Sequence, residues 1–472
     1  MLATARLATQ SLHTAPDEQT VVIIGRYASA GFAAIGVLAF ALLGYLRRGP
    51  AGYLAVGLLL GLHHQVFELA HYFKEDTALL MGFGLSFLAL ALYWDRQTTP
   101  RLIFLGVACG LSISAKYLGV VVLIPALLAI HFARSGTTGG RGSRRAGLVS
   151  NANGKESASS SWLPYLLFLA AFFATITLAN YPLLNNLDTF RNSFHREVTL
   201  VRADEGGGRM PFLEYLKIFV SNTNPAIWLF LGINLIQQWR TRANRSALDW
   251  IITIFPFVFV ALLSCSHKTN DRYFLPATAL FSYLAALGIC DAADLLSAKM
   301  PRQLTLAVAL SLTCFFQIVQ IPWINSHSLS EYFQAFQHDD RAELLQWIRT
   351  NLPREAVLAQ DNRADLPTAR RNSRLKIQGL LEQKVLDSKQ LTDFGPMEGL
   401  AQKGITHVVV SESDYGKFFR KAWTPHNSGD AQKKKLYDDL FKHAKSLWER
   451  PRATVIYLHP GLQLFELPGQ SK

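Results

Sequence analysis

Apolar residues gather into long runs separated by short polar stretches over the first two-thirds of the chain, and beyond that the runs break up. A helix needs about 20 apolar residues to cross roughly 30 Å of hydrocarbon. Windows that meet or approach this length lie at about 21–46, 51–68, 77–95, 101–115, 117–133, 163–180, 213–237, 249–265, 273–293 and 303–323. They predict an α-helical polytopic protein with about ten transmembrane helices, the fourth and fifth short enough to be paired or tilted segments. Composition agrees: half of the 472 residues are hydrophobic and only 17% are charged, with a mean hydropathy of +0.16. An integral, multi-pass membrane protein fits this balance better than a soluble enzyme does.

The placement of Lys and Arg sets the expected orientation, because cytoplasmic loops keep an excess of them. Arg47 and Arg48, Arg96 and Arg101, the Arg-bearing loop 134–162 and the group Arg240, Arg242 and Arg245 all fall on one side if spans alternate. That side is read as the cytoplasm. The other face then receives residues 1–20, the Lys74-Glu75-Asp76 run, Lys116, the loop 181–212, the segment His267–Arg272 and everything after residue 323. The expected domains are therefore a membrane domain, 1–323, and an extramembrane domain, 324–472.

Within the second domain Arg341–Arg349 reads as an amphipathic helix with Leu344, Leu345, Trp347 and Ile348 placed to pack. Ala356–Ala359 and Ile405–Ser411 read as short β-branched strands, and Tyr437–Trp448 as helix by period. The alternation predicts a small α/β domain whose positive charge is either a solvated surface or an attraction to anionic lipid. The Gly/Ser-rich stretch Ser135–Ser161 reads as a disordered cytoplasmic loop. Cys109, Cys265, Cys290 and Cys314 lie in or at the ends of spans without CxxC spacing, so they read as buried small hydrophobes. There is no P-loop, GxGxxG or HExxH motif, and nucleotide-driven transport and soluble cofactor chemistry lose support. No nucleic-acid partner is expected.

What remains is a set of polar residues on one membrane face. Ionisable groups cost roughly 2.5 to 3.5 kcal/mol each at the centre of a bilayer, so near membrane depth they persist mainly where they line a polar site. Asp76 opens a span directly after Lys74 and Glu75. Lys116 sits in a short connection on the same face, and Lys268 and Arg272 stand near the end of the eighth span. Arg binds phosphate in a bidentate fork and Lys binds it as a point charge. The competing reading is an interfacial loop with snorkelling cations and Tyr273 as a belt aromatic. In the loop 181–212, His195, Arg196 and Glu197 together with Gly206-Gly207-Gly208 offer a flexible substrate loop or a plain surface.

In their order and common face these residues resemble the GT-C superfamily of membrane glycosyltransferases, especially the protein O-mannosyltransferase type and bacterial relatives such as aminoarabinose transferases to lipid A. The matching pieces are Gly25-Arg26-Tyr27, Lys74-Glu75-Asp76-Thr77-Ala78-Leu79, Gly110-Leu111 through Lys116-Tyr117-Leu118-Gly119, and His267-Lys268 with Arg272-Tyr273-Phe274-Leu275-Pro276. The resemblance covers most of residues 20–325. It implies transfer of a sugar from a polyprenyl or dolichyl phosphate carrier to a hydroxyl on protein, glycan or lipid at the outer face, with membrane lipid as surroundings and a bacterial inner membrane as the expected location. The leaving phosphate is already a good anion, so it needs cations more than a general acid, and a carboxylate must handle the acceptor's proton. Lys116, Lys268, Arg272 and Tyr273 are then expected at the donor phosphate, and Asp76, aided by Glu75, is expected to act as base or to position the acceptor. No cofactor is implied; a divalent metal is compatible with the chemistry without being called for.

One departure from the resemblance concerns the N-terminus. Relatives begin with a cytoplasmic N-terminus, a first span and an outer loop bearing a catalytic Asp-Glu pair, whereas here ten spans and an outer C-terminal domain put the N-terminus outside by parity. Either an upstream span and its acidic loop precede Met1, or the chain is an incomplete enzyme, or Asp17-Glu18, eight residues before Arg26, is that pair. The competing class is a non-enzymatic transporter or assembly subunit that binds an anionic lipid or ligand on the same face. Transporters are expected to show repeated halves with broken helices, and no such repeat is visible.

Overall fold

The computed structural model describes residues 18–134, 162–181, 186–202, 211–266, 269–321, 327–368, 378–386, 391–419, 428–455 and 457–468. The chain divides into two compact units, Met1–Leu329 and Ser330–Lys472.

The first unit is helical. Helix α1 (Glu18–Gly61) turns at Gly49, where φ is +62°, directly before Pro50. Glycine adopts a positive φ without steric cost and proline supplies no N–H to continue the ladder, so the apolar run folds as two arms. The arms meet at Gly44, where an added Cβ would come within 2.6 Å of the Gly52 carbonyl oxygen. After α2 (His64–Ala70) come α3 (Asp76–Asp95) and α4 (Thr99–Ala115), then a 3-10 turn (Tyr117–Val122) leading into α5 (Leu123–Arg134). Helices α6 (Leu163–Ala179), α7 (Leu187–Arg202), α8 (Pro211–Asn222), α9 (Pro225–Arg240) and α10 (Ala247–Leu263) follow. A 3-10 turn (Asp271–Phe274) then opens α11 (Leu275–Leu296), and α12 (Arg302–Ile318) closes the unit.

Each of the ten expected windows contains helix, but ten separate spans are not what the described residues show. By length and composition Val21–Gly61, Asp76–Asp95 and Asp271–Leu296 are long and apolar enough to cross a membrane, and five further apolar helices are shorter. The seventh window holds two helices, α8 and α9, bent by 111° across the break between them. Asn224 and Pro225 explain the bend. A residue before proline is driven out of the helical region, and the Asn224 side chain accepts a bond from Ile227 N at 3.2 Å, capping a new helix that starts at Pro225. The expected loop 181–212 is corrected, because Leu187–Arg202 is helical. Among the cysteines, Cys109 and Cys290 are buried, Cys314 is intermediate, and Cys265 is exposed rather than buried. The stretch Ser135–Ser161 lies outside the described residues.

Helix α11 is buried along almost its whole length and ties the unit together at both ends. Near its C-terminus Asp291 pairs with Arg48 and accepts from Asn234 Nδ2 at 2.8 Å. Gln238 and Thr253 extend that polar chain, and Arg47 pairs with Asp249 at 2.9 Å beside it. The other end of α11, roughly 30 Å away at 1.5 Å per residue, carries Arg272.

The second unit is α/β. Helices α13 (Leu329–Ala335) and α14 (Asp340–Asn351) precede β1 (Val357–Gln360) and β2 (Lys384–Leu386). Then come α15 (Met397–Gln402), β3 (His407–Ser411), α16 (Glu412–Tyr415), α17 (Ser428–His443), β4 (Lys445–Arg452) and β5 (Pro460–Glu466). Strand order is β2-β1-β3-β5-β4, with β2, β1 and β3 parallel and β5 antiparallel to both β3 and β4. Alternation along the strands splits the core in two. Leu358, Val409, Leu462 and Leu464 pack with Leu344 and Ile348 of α14, while Ala359, Val408, Val410 and Phe465 pack with Leu436 and Leu440 of α17. The expected helix Tyr437–Trp448 ends early: from Lys445 the chain pairs with β5, with an irregularity between Ser446 and Trp448. Pairing with a distant strand outweighs a local helical period there.

Two titratable groups in this unit carry a pH signature. Asp361, buried just after β1, accepts from Tyr437 Oη at 2.8 Å and from Ser411 N at 3.1 Å. Burial, and next the nearby Asp414, push its carboxyl up to about 7 against the opposing pull of those two bonds. His459 has acceptors at both ring nitrogens, Asp340 Oδ1 at 2.9 Å and Ala335 O at 2.8 Å. Only the imidazolium can donate to both, and the bond to Asp340 foremost raises its pKa against the cost of burial. Both groups hold a proton more tightly folded than unfolded. Their stabilisation is therefore complete below the unfolded values, about 3.9 and 6.5, and is lost as pH rises through the folded values. Hydrogen-exchange protection of β1 and β3 in the full-length protein, corrected for intrinsic rates, is expected to fall from pH 5.5 to 8.5. Asp361→Asn should flatten the lower part of that decline and His459→Gln the upper part; a flat profile for the parent protein would contradict the assignment.

Candidate functional site

Three helix ends converge on one charged cluster. Asp76 is the first residue of α3, where a carboxylate interacts favourably with the helix N-terminus, an effect of about 0.3 to 1 kcal/mol at exposed positions. Lys116 follows the last residue of α4 in extended conformation, and its carbonyl accepts from Gly119 N at 2.8 Å. Arg272 lies in the turn that opens α11, where Asn270 Oδ1 accepts from Arg272 N at 3.1 Å and from Nε at 3.3 Å. Gln65 of α2 fixes this turn from the side, donating to Asp271 O at 2.8 Å and accepting from Thr278 Oγ1 at 3.0 Å.

Close packing makes the convergence possible. A Cβ on Gly82 of α3 would meet Ser112 Cα of α4 at 2.5 Å, so only glycine lets these helices approach so closely. Asp76 stands six residues before Gly82 on α3, and Lys116 stands four residues after Ser112, just beyond α4. Lys116 Nζ reaches Asp76 Oδ1 at 2.6 Å and Glu75 Oε1 at 3.2 Å, and Arg272 Nη1 lies 3.6 Å from Asp76 Oδ2. Asp76 is 1% exposed and Lys116 9%, so the pair is withdrawn from water. The Tyr273 ring lies 4.5 Å from Lys116 Nζ. Glu75 is more open: partial burial opposes its charged form, but Lys116 above all, with a backbone N–H and Arg272, holds its carboxyl below the usual range.

Of the residues singled out from sequence, Asp76, Glu75, Lys116, Arg272 and Tyr273 are thus brought together. Tyr273 touches Lys116 and is 7% exposed, which makes it a support for the ammonium rather than an open belt aromatic. Lys268 and Asp17 lie outside the described residues, and Glu18 begins α1 with its side chain undescribed. His195 is exposed on α7, and the side chains of its neighbours Arg196 and Glu197 are likewise undescribed. No described contact joins His195 to the cluster; His195-Arg196-Glu197 of the expected substrate loop are helical, and Gly206-Gly207-Gly208 lie outside the described residues. Among the described residues no three of His, Cys, Asp and Glu gather to hold a metal ion.

Sequence reasoning missed Gln65, Glu68, Tyr72, Asn270 and Asp271. Tyr72 Oη donates to Glu68 Oε1 at 3.2 Å, and Lys74 Nζ lies 5.2 Å from the Tyr72 ring. A signal was present: His63-His64-Gln65 and Glu68 interrupt the second apolar window, and polar residues inside such a window mark a site as surely as charges at its border.

A buried carboxylate, an ammonium and a guanidinium meet at the ends of apolar helices of a membrane protein. Residues 17–139 match the family model described as dolichyl-phosphate-mannose-protein mannosyltransferase, a segment that contains Glu75, Asp76 and Lys116. This match supports the resemblance to membrane glycosyltransferases of the mannosyltransferase type. Among solved structures, the oligosaccharyltransferase of Archaeoglobus fulgidus, in complex with zinc and sulfate, matches with a TM-score of 0.44 at 13% identity, over 88% of this chain and 59% of that one. The chain therefore spans well under two-thirds of that protein, and a likeness so slight bears on neither site nor activity. No curated protein matches significantly.

Removing one partner from a buried ion pair leaves an uncompensated charge, which typically costs about 3 to 5 kcal/mol. Asp76→Ala is accordingly expected to destabilise the protein by about that amount, read as a lowered unfolding midpoint in detergent. Asp76→Leu combined with Lys116→Met should recover most of the loss. A double variant as unstable as Asp76→Ala would show that the cost lies elsewhere.

Proposed function

We propose that this chain is a glycosyltransferase that moves a sugar from a polyprenyl- or dolichyl-phosphate-linked donor to a hydroxyl acceptor on protein, glycan or lipid. The observation that carries this reading is the cluster Asp76–Lys116–Arg272 at helix ends, its Asp76 and Lys116 buried, with the family match over the segment that holds its first two members. In this reading Lys116 and Arg272 receive the donor phosphate. They offset the charge that grows on it as the anomeric C–O bond lengthens toward an oxocarbenium-like transition state. Lys268, close in sequence to Arg272, is assigned to the same phosphate.

Asp76 is assigned a positioning role. Its two oxygens face the two cations, so it holds ammonium and guanidinium ready, and preorganised charges need no rearrangement at the moment of reaction. The Tyr273 face adds a cation–π contact to Lys116, an interaction of about 0.5 to 2 kcal/mol. We assign the site to the outer membrane face of a bacterial inner membrane, with residues 324–472 on the same side. A transporter would use broken helices in paired repeats; among the described residues there is one bent pair, α8 and α9.

Arg272→Lys preserves charge and loses the planar fork. Binding of a fluorescent polyprenyl phosphate to the purified protein is expected to weaken about tenfold in this variant, a difference of about 1.4 kcal/mol, and further in Lys116→Ala. Unchanged affinity in both variants would remove these residues from the donor site, and no binding by the parent protein would overturn the donor assignment itself.

A further inference from the structure

Transfer to a hydroxyl releases a proton, and the two carboxylates nearest the cations are occupied in holding those cations. Asp76 lies 2.6 Å from Lys116 and 3.6 Å from Arg272, and Glu75 lies 3.2 Å from Lys116. Both carboxylates are already engaged by the cations that the donor phosphate must meet. The better proton acceptor is a carboxylate beside the same cluster that no cation holds.

Glu68 meets this description. It is half-buried on α2 and accepts a hydrogen bond from Tyr72 Oη at 3.2 Å. Among the described residues no cation lies within 4.0 Å of its carboxylate. The charged and titratable groups that face it are Asp271, Tyr72, His327 and Lys74. Asp271 adjoins Arg272, and Lys74 faces Arg272, Asp76 and Glu75 as well as Glu68. Glu68 therefore stands on the flank of the cation cluster, four residues before Tyr72 on the segment that leads to Asp76. A carboxylate retained there for packing alone gains nothing over glutamine, which has the same length and also accepts the Tyr72 bond.

We infer that Glu68 is the general base of the reaction, an assignment that rests on the sugar transfer proposed above. Its carboxylate takes the proton of the acceptor hydroxyl as that oxygen bonds to the anomeric carbon. The bond from the anomeric carbon to the phosphate oxygen breaks, and its electron pair leaves on the lipid phosphate beside Lys116 and Arg272. The products are the glycoside, the lipid phosphate and a protonated Glu68, which returns its proton to solvent.

The test uses the full-length protein in liposomes with mannosyl-phosphoryl-polyprenol as donor, and water, a serine-containing peptide or a glycoside as acceptor. General-base removal typically costs about 10² to 10⁴ in rate, so Glu68→Gln should lower kcat by that factor while the Kd for polyprenyl phosphate stays within about twofold. The acid limb of the parent's kcat/KM profile should vanish in Glu68→Gln. If the Gln variant does not fold, Glu68→Ala decides: restoration of turnover by added formate supports the base, and its absence overturns it. Parent-like kcat in Glu68→Gln, or a loss of rate matched by an equal loss of binding, would overturn the assignment while leaving sugar transfer intact. A parent protein that neither binds polyprenyl phosphate nor turns over the donor would overturn the sugar-transfer reading and the base with it.

Discussion

Charges taken out of water must be paired, and in the first unit that requirement governs the meeting of three chain segments. An isolated buried ion costs several kcal/mol, so Asp76 at the start of α3, Lys116 at the end of α4 and Arg272 before α11 have to stay within reach of one another. The rest of the local structure serves that reach. Gly82 lets α3 approach the Ser112 backbone of α4, Gln65 clamps the turn that carries Arg272, and Tyr273 supports the ammonium from one side.

The two ends of α11 carry two different polar arrangements. At the far end, Arg48 and Asp291, with Asn234, Gln238 and Thr253, form a chain in which each partner is itself hydrogen-bonded. Satisfied networks of this kind rigidify a core. At the near end the carboxylates and cations are fewer in hydrogen bonds than in charge: Asp76 Oδ2 has an ion-pair neighbour at 3.6 Å and no hydrogen bond. Buried polar atoms left with capacity to spare are more often found where a protein acts than where it merely holds together.

The helical windows, the mixed second unit and the charged residues Glu75, Asp76, Lys116 and Arg272 were legible because they follow from local pattern. Apolar run length reports a helix in or near a bilayer, β-branched runs such as Val408-Val409-Val410 report a buried strand, and charges bordering apolar runs are too costly to be incidental. Even the bend between α8 and α9 had a local cause in Asn224-Pro225, though the apolar window ran straight through it. The strand Lys445–Arg452 had no such cause. Its pairing with β5 depends on residues such as Leu462 and Leu464, which a helical period read from Tyr437 onward cannot register.

By itself, then, the sequence determined which segments are helical and apolar and which ionisable residues stand at their borders, because both depend on the free energy of a residue in its own stretch of chain. Only the tertiary structure decided which of those residues meet. That Lys116 reaches Asp76, forty positions away, rather than remaining a snorkelling cation depends on the glycine-to-serine contact of α3 with α4. That Glu68 and Gln65 flank the cluster depends on α2 lying beside the Asp271–Phe274 turn, since contacts between distant segments are set by packing geometry that no single window of the chain contains.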